Sequence, residues 1–240
     1  MRLQTPCLSR ADIEEMAKPI IEQYKQEYVP KRHLCYRVDP TELASILGVR
    51  IEYLQLTQDG SILGQTASAP LWTTVIDPAL GETFFFLDGK TILIEKRLQD
   101  NYRLVGRKNF TIAHELAHLI INRRYPGIYG LQDEPYCEYR RIEKKKVTDW
   151  YEWQADALAA ALLIPPDALD EVLFFFGLDS KMKVLSRKYS RNKYDAFCEM
   201  AEFLQVSKTT LAFRMEQLGL LERNYLIKEA QQRLGGNQYG

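Results

Sequence analysis

Phe110-Thr111-Ile112-Ala113-His114-Glu115-Leu116-Ala117-His118-Leu119-Ile120-Ile121 is the stretch from which the rest of the chain is read. It holds His-Glu-x-x-His inside a run with helical periodicity. Phe110, Ala113, Leu116, Ala117 and Ile120 form an apolar stripe, and no Gly or Pro interrupts it. On a helix, His114 and His118 project from one face about one turn apart. Both imidazoles then reach one cation at a Zn–N distance of about 2.0–2.1 Å. Glu115 points off that face, where it can take a proton from a metal-activated water rather than ligate the metal. The chain has only three histidines, His33, His114 and His118, so chance spacing is a poor explanation for the motif.

A chain of 240 residues supports one large or two small domains around a substantial core. Its 46% hydrophobic and 27% charged content are ordinary for a globular protein. Lys+Arg and Asp+Glu are both 32, so no global charge draws it to nucleic acid or an anionic membrane. Cys7, Cys35, Cys137 and Cys198 are scattered, with no Cys-x-x-Cys pair to make a zinc knuckle or a redox motif. Residues 1–10 lack the apolar core of a signal peptide, and the longest apolar run, 157–164, is too short to span a bilayer. The expected setting is cytoplasmic and reducing, with no membrane partner.

In chain order, Ser9 and Asp12 offer N-caps for a first helix through Ile13, Met16, Ala17, Ile20, Ile21 and Tyr24, with Pro19 inside it and a stop before Pro30. Asp39-Pro40 opens a short second helix that Gly48 closes. Strands are expected at 49–54, 71–76, 82–87 and 91–95, separated by Asp59-Gly60, Asp77-Pro78 and Asp88-Gly89, the last read as a hairpin turn. The fold class is α+β: a helix and a small, mostly antiparallel sheet, then the motif helix, a polar loop over 123–147 and further helices. The basic cluster at 140–146 reads as a solvated loop rather than a docking patch. A tail helix near 226–234 is expected to end in a frayed terminus.

A hydrolytic zinc site needs a third protein ligand and one position left for water. His33 sits in an N-terminal loop without helical spacing. The better source is Asp149-Trp150-Tyr151-Glu152-Trp153-Gln154-Ala155-Asp156-Ala157-Leu158-Ala159, a helix that Asp149 can cap and Pro165 ends. Glu152 and Asp156 share a face amid alanines that allow close packing. Acids on so apolar a helix are costly unless paired or metal-bound, so either one completes a two-His, one-carboxylate site.

Taken together, 107–118 and Glu152-x-x-Ala155-Asp156-x-x-Ala159-Ala160-x-Leu162-Leu163-Ile164-Pro165 resemble the ImmA/IrrE metallopeptidases. The resemblance covers roughly residues 10–222, with Leu158 and Ile164 where Phe and Met are usual. It implies a zincin-like minimal metallopeptidase core over 1–175 and a C-terminal helical region over 176–240 packed on it. It also assigns Glu152 as third ligand beside His114 and His118, Glu115 as catalytic base, and one Zn2+ per chain. Two imidazoles and a carboxylate also accept Mn2+ or Fe2+. Asp156 then stands behind the ligands and orients a histidine, with Tyr151 and His33 as further residues beside them. Tyr102, Tyr151 and His33 are oxyanion candidates by chemistry alone. The substrate implied is a helix-turn-helix repressor whose cleavage derepresses genes of a mobile element, prophage or stress response.

Two other readings compete. Residues 201–219 can form a helix-turn-helix, but its second helix offers few cations beyond Lys208 and Arg214, so packing rather than direct DNA binding is expected. A non-catalytic anti-repressor that sequesters its partner has no use for Glu115.

Overall fold

Residues 8–28, 36–126, 136–139, 150–178, 181–188 and 190–226 are described by a computed structural model of the chain. Helix α1 (Arg10–Tyr28) begins in a reciprocal cap: Asp12 Oδ2 accepts from Ser9 N at 2.7 Å, and Ser9 Oγ accepts from Asp12 N at 3.2 Å. The helix runs on through Pro19 because Ile13, Ala17, Ile21 and Tyr24 are buried on one face, and this helix packs against the later helix over Trp150–Leu163. In α2 (Pro40–Ile46), Asp39 Oδ1 accepts from Thr41 N at 2.8 Å and Pro40 occupies the first turn, as its fixed φ favours.

Strands β1 (Arg50–Leu54), β2 (Ile62–Thr66), β3 (Leu71–Asp77), β4 (Gly81–Leu87) and β5 (Thr91–Glu95) follow, then α3 (Val105–Arg124) and β6 (Tyr136–Tyr139). These six strands form two sheets: a four-stranded one in the order β1-β5-β2-β6, and the β3-β4 hairpin. Strands β1 and β5 are parallel, whereas β2 runs antiparallel to both β5 and β6. Strand β2 was not expected from the sequence, because Gly64 and Gln65 dilute its β pattern and burial on both faces removes any alternation.

Asp88-Gly89 is not the hairpin turn it resembles. Strand β4 pairs with β3 through a turn in which Asp77 Oδ1 accepts from Ala79 N and Leu80 N, while β5 enters the other sheet between β1 and β2. Asp88 instead ties that corner to β1: its Oδ2 accepts from Arg50 Nη2 at 2.6 Å and its Oδ1 from Thr91 Oγ1 at 2.8 Å. Within the expected polar loop, α3 continues through Arg124 and β6 adds a strand beside β2, while 127–135 and 140–147 lie outside the described residues. His33, Cys7, Cys35, Asp149, the basic cluster 140–146 and nearly all of the expected tail helix lie outside the described residues.

Helix α3 is buried on every side from Thr111 to Asn122, not along a stripe alone. It packs against β2 and β5 on the sheet and against α4 (Trp150–Leu163). The C-terminal part comprises α5 (Pro166–Phe175), β7 (Met182–Leu185), α6 (Arg191–Phe203), α7 (Lys208–Gln217) and β8 (Leu221–Asn224), with β7 and β8 parallel. Ser207 caps α7, its Oγ accepting from Thr210 N at 3.0 Å. Arg214, offered by the sequence as a cation for DNA, is fully buried: its Nε donates to Ile164 O at 2.9 Å, and its guanidinium pairs with Glu14. Among the described residues, no helix is long and apolar enough to cross a membrane.

Candidate metal centre

Helices α3 and α4 bring the site together. His114 Nε2 and His118 Nε2 lie 3.0 Å apart, as one-turn spacing dictates, with Glu152 Oε2 3.1 Å from the first and Glu152 Oε1 3.5 Å from the second. Among the described residues, these three form the group of His, Cys, Asp and Glu side chains that can hold a metal, with their ligand atoms all within 4.8 Å of one another. Both histidines are buried in the helix contact, whereas the Glu152 side chain is 38% exposed, so the centre opens on the Glu152 side.

Asp156, one turn beyond Glu152, places Oδ1 3.0 Å from His114 Nδ1. A carboxylate can only accept, so Nδ1 carries the proton and Nε2 keeps its lone pair. The lone pair of Nε2 therefore faces the Glu152 carboxylate. Two acceptors at that distance repel unless a proton or a metal cation lies between them, and two imidazoles with a carboxylate are a ligand set that suits a divalent cation such as zinc. Burial pushes the Glu152 carboxyl up, but the bonded His114 and His118 outweigh it, leaving the group well below the usual carboxylate range. Burial pushes His118 down, against the pull of Glu152. Ionised carboxylate and neutral imidazole are the forms that bind a metal.

Glu115 is fully buried and outside the ligand group. Its carboxylate lies against β2 at Gly64, where a Cβ would come within 2.5 Å of Glu115 Oε1 and 2.8 Å of Thr111 Cγ2. Only a glycine backbone leaves that space. Sequence reasoning missed Gly64; an isolated glycine in an apolar run was the available sign of close approach.

Tyr151 is brought beside the centre: its ring centroid is 4.7 Å from that of His118, and its hydroxyl accepts from Asn122 Nδ2 at 3.0 Å. Asn122 was also missed, although it falls four residues after His118 on the same helix face. Tyr102 is not brought there. It lies 78% exposed before α3, lines a separate hollow with Lys96, Arg97 and Asn101, and its hydroxyl accepts from Arg103 Nε at 3.0 Å. His33 lies outside the described residues.

The family model of the IrrE N-terminal-like domain, a peptidase family, matches residues 76–216, more than half of the chain. The matched stretch begins at the end of β3, contains α3 and α4 and ends within α7, so all three potential ligands fall within it. Among curated proteins, none matches the chain.

Proposed function

The chain belongs to the IrrE N-terminal-like peptidase family, and on that premise we propose that it is an intracellular zinc-dependent endopeptidase acting on a helix-turn-helix transcriptional repressor. The observation that carries the reading is the convergence of His114 Nε2, His118 Nε2 and Glu152 on one point, with Glu115 buried beside them but outside the ligand group. Those three side chains would hold zinc, which would supply Lewis-acid polarisation of the scissile carbonyl and of the attacking water.

The chain's own residues do the rest. Asp156 holds the His114 proton at Nδ1, which keeps Nε2 free to ligate. Burial disfavours the charged form of His118. A Glu115 carboxylate oxygen takes a proton from the attacking water and passes it to the leaving amine. Gly64 admits the Glu115 carboxylate to its seat, and burial there keeps bulk water from competing for the base. Family resemblance supports the repressor as substrate, and its cleavage would derepress genes of a mobile element, prophage or stress response. Burial of Arg214 removes one of the two cations that the DNA-binding reading relied on.

The test is elemental analysis of the purified chain and of His114→Ala, followed by incubation of both with candidate repressors. Near one zinc per wild-type chain, almost none in the variant, and repressor fragments only with wild type are expected. A metal-free wild type after zinc supply, or equal cleavage by both, overturns the proposal.

A further inference from the structure

Helices α3 and α4 meet a second time beside the ligands. Asn122 follows His118 by one turn on α3, and Tyr151 immediately precedes Glu152 on α4. The Asn122 amide donates from Nδ2 to the Tyr151 hydroxyl at 3.0 Å, and both residues are buried. The ring of the same tyrosine packs against His118, with centroids 4.7 Å apart and planes 42° apart. One side chain therefore touches a ligand histidine through its ring, a neighbouring helix through its hydroxyl, and the third ligand through its own backbone.

Simple packing does not explain this choice of residues. Phenylalanine would fill the same space without a hydroxyl to desolvate, and asparagine is a poor helix former in a run that otherwise reads Leu119-Ile120-Ile121. A buried amide–hydroxyl bond is worth building where direction matters, because it fixes the rotation of one helix about its axis relative to the other. His114 already has its orienting partner in Asp156.

We infer that Asn122 and Tyr151 are a positioning pair for the metal centre: the amide holds the phenol, the phenol ring sets the plane of His118, and the backbone so fixed brings Glu152 to both histidines. The inference rests on His114, His118 and Glu152 holding zinc, and the wild-type chain tests that separately.

The experiment compares full-length wild type, Tyr151→Phe, Asn122→Ala and the double variant. Zinc affinity is read by competition with a chromophoric chelator, the visible spectrum with cobalt(II) in place of zinc, and thermal stability with metal removed. A wild type that takes up no zinc overturns the centre itself. With zinc bound, each single variant is expected to lose about tenfold in affinity, in line with residues that orient metal ligands. The double variant should lose no more than the worse single, because one bond has been broken either way. The cobalt spectrum should shift, while the metal-free chains melt close together. Affinities within about twofold of wild type, losses that multiply in the double variant, or an affinity that falls only in step with metal-free stability would each overturn the pair.

Discussion

Asp156 Oδ1 stands 3.0 Å from Nδ1 of His114, so α4 supports the very histidine that its own Glu152 meets at the other ring nitrogen. The two acids on one helix face thus have different tasks. Asp156→Ala is expected to weaken zinc affinity about 10–100-fold while leaving a site that fills at high zinc. Glu152→Ala should cost more, because it removes a ligand. Chelator competition measures both, and the opposite order would shift the ligand assignment by one helical turn.

Glu115→Gln should keep its zinc and lose hydrolysis. An amide preserves the shape against Gly64 but cannot take a proton, and general-base catalysis is worth about 10²–10⁴-fold. Repressor cleavage followed by gel, with metal content measured on the same sample, decides this. Undiminished cleavage removes Glu115 from the mechanism.

Gly64→Ala tests the seat of that base. The added methyl meets Glu115 Oε1 at 2.5 Å, so the carboxylate or β2 must shift. Overpacking of this kind costs about 1–3 kcal/mol of stability. Turnover should fall with zinc content unchanged, which separates this variant from those at Tyr151 and Asn122. A Gly64→Ala chain with wild-type turnover would show that the close approach does not position the base.

Zinc should stabilise the fold as well as the reaction. A ligand that binds only the native state at a thousand times its Kd adds about 4.1 kcal/mol. Differential scanning calorimetry should therefore show Tm rising with zinc in wild type and hardly moving in His114→Ala. Equal shifts in both would place the stabilising zinc elsewhere.

Glu14→Gln leaves the Arg214 guanidinium buried without its carboxylate. Breaking a fully buried pair costs roughly 3–5 kcal/mol, and less is expected here because the Glu14 side chain is 35% exposed. Urea denaturation reads the loss. A midpoint equal to that of wild type would mean that the pair adds nothing to stability.

The cluster of His114, His118 and Glu152 was legible because its geometry is local. His114 and His118 lie on one helix, Glu152 and Asp156 on another, and three- and four-residue spacings carry the geometry directly. What escaped was set by contact between distant segments. Ile62–Thr66 lacks alternation because α3 covers one face while residues of β3 and β4 pack on the other. Asp88-Gly89 has hairpin chemistry, but Arg50 recruits Asp88 to a parallel neighbour 38 residues away. Arg214 looks like a surface cation, and only the packing of α7 on α4, with Ile164 O and Glu14 as its partners, makes it a core residue. Asn122 reads as an ordinary polar residue near a helix end until Tyr151 is placed against it.

The bond between Glu14 and Arg214 joins residues 200 positions apart, which sets an order of events during synthesis. At about 5–20 residues per second, Arg214 leaves the ribosome roughly 10–40 s after Glu14. Asp156, the last of the described residues around the candidate centre, emerges well before it. The nascent chain can therefore bring α3 and α4 together, with α1 packed on α4, before this clasp exists, and a ribosome stalled just short of α7 would hold a chain with its candidate ligands in hand and Glu14 still without Arg214.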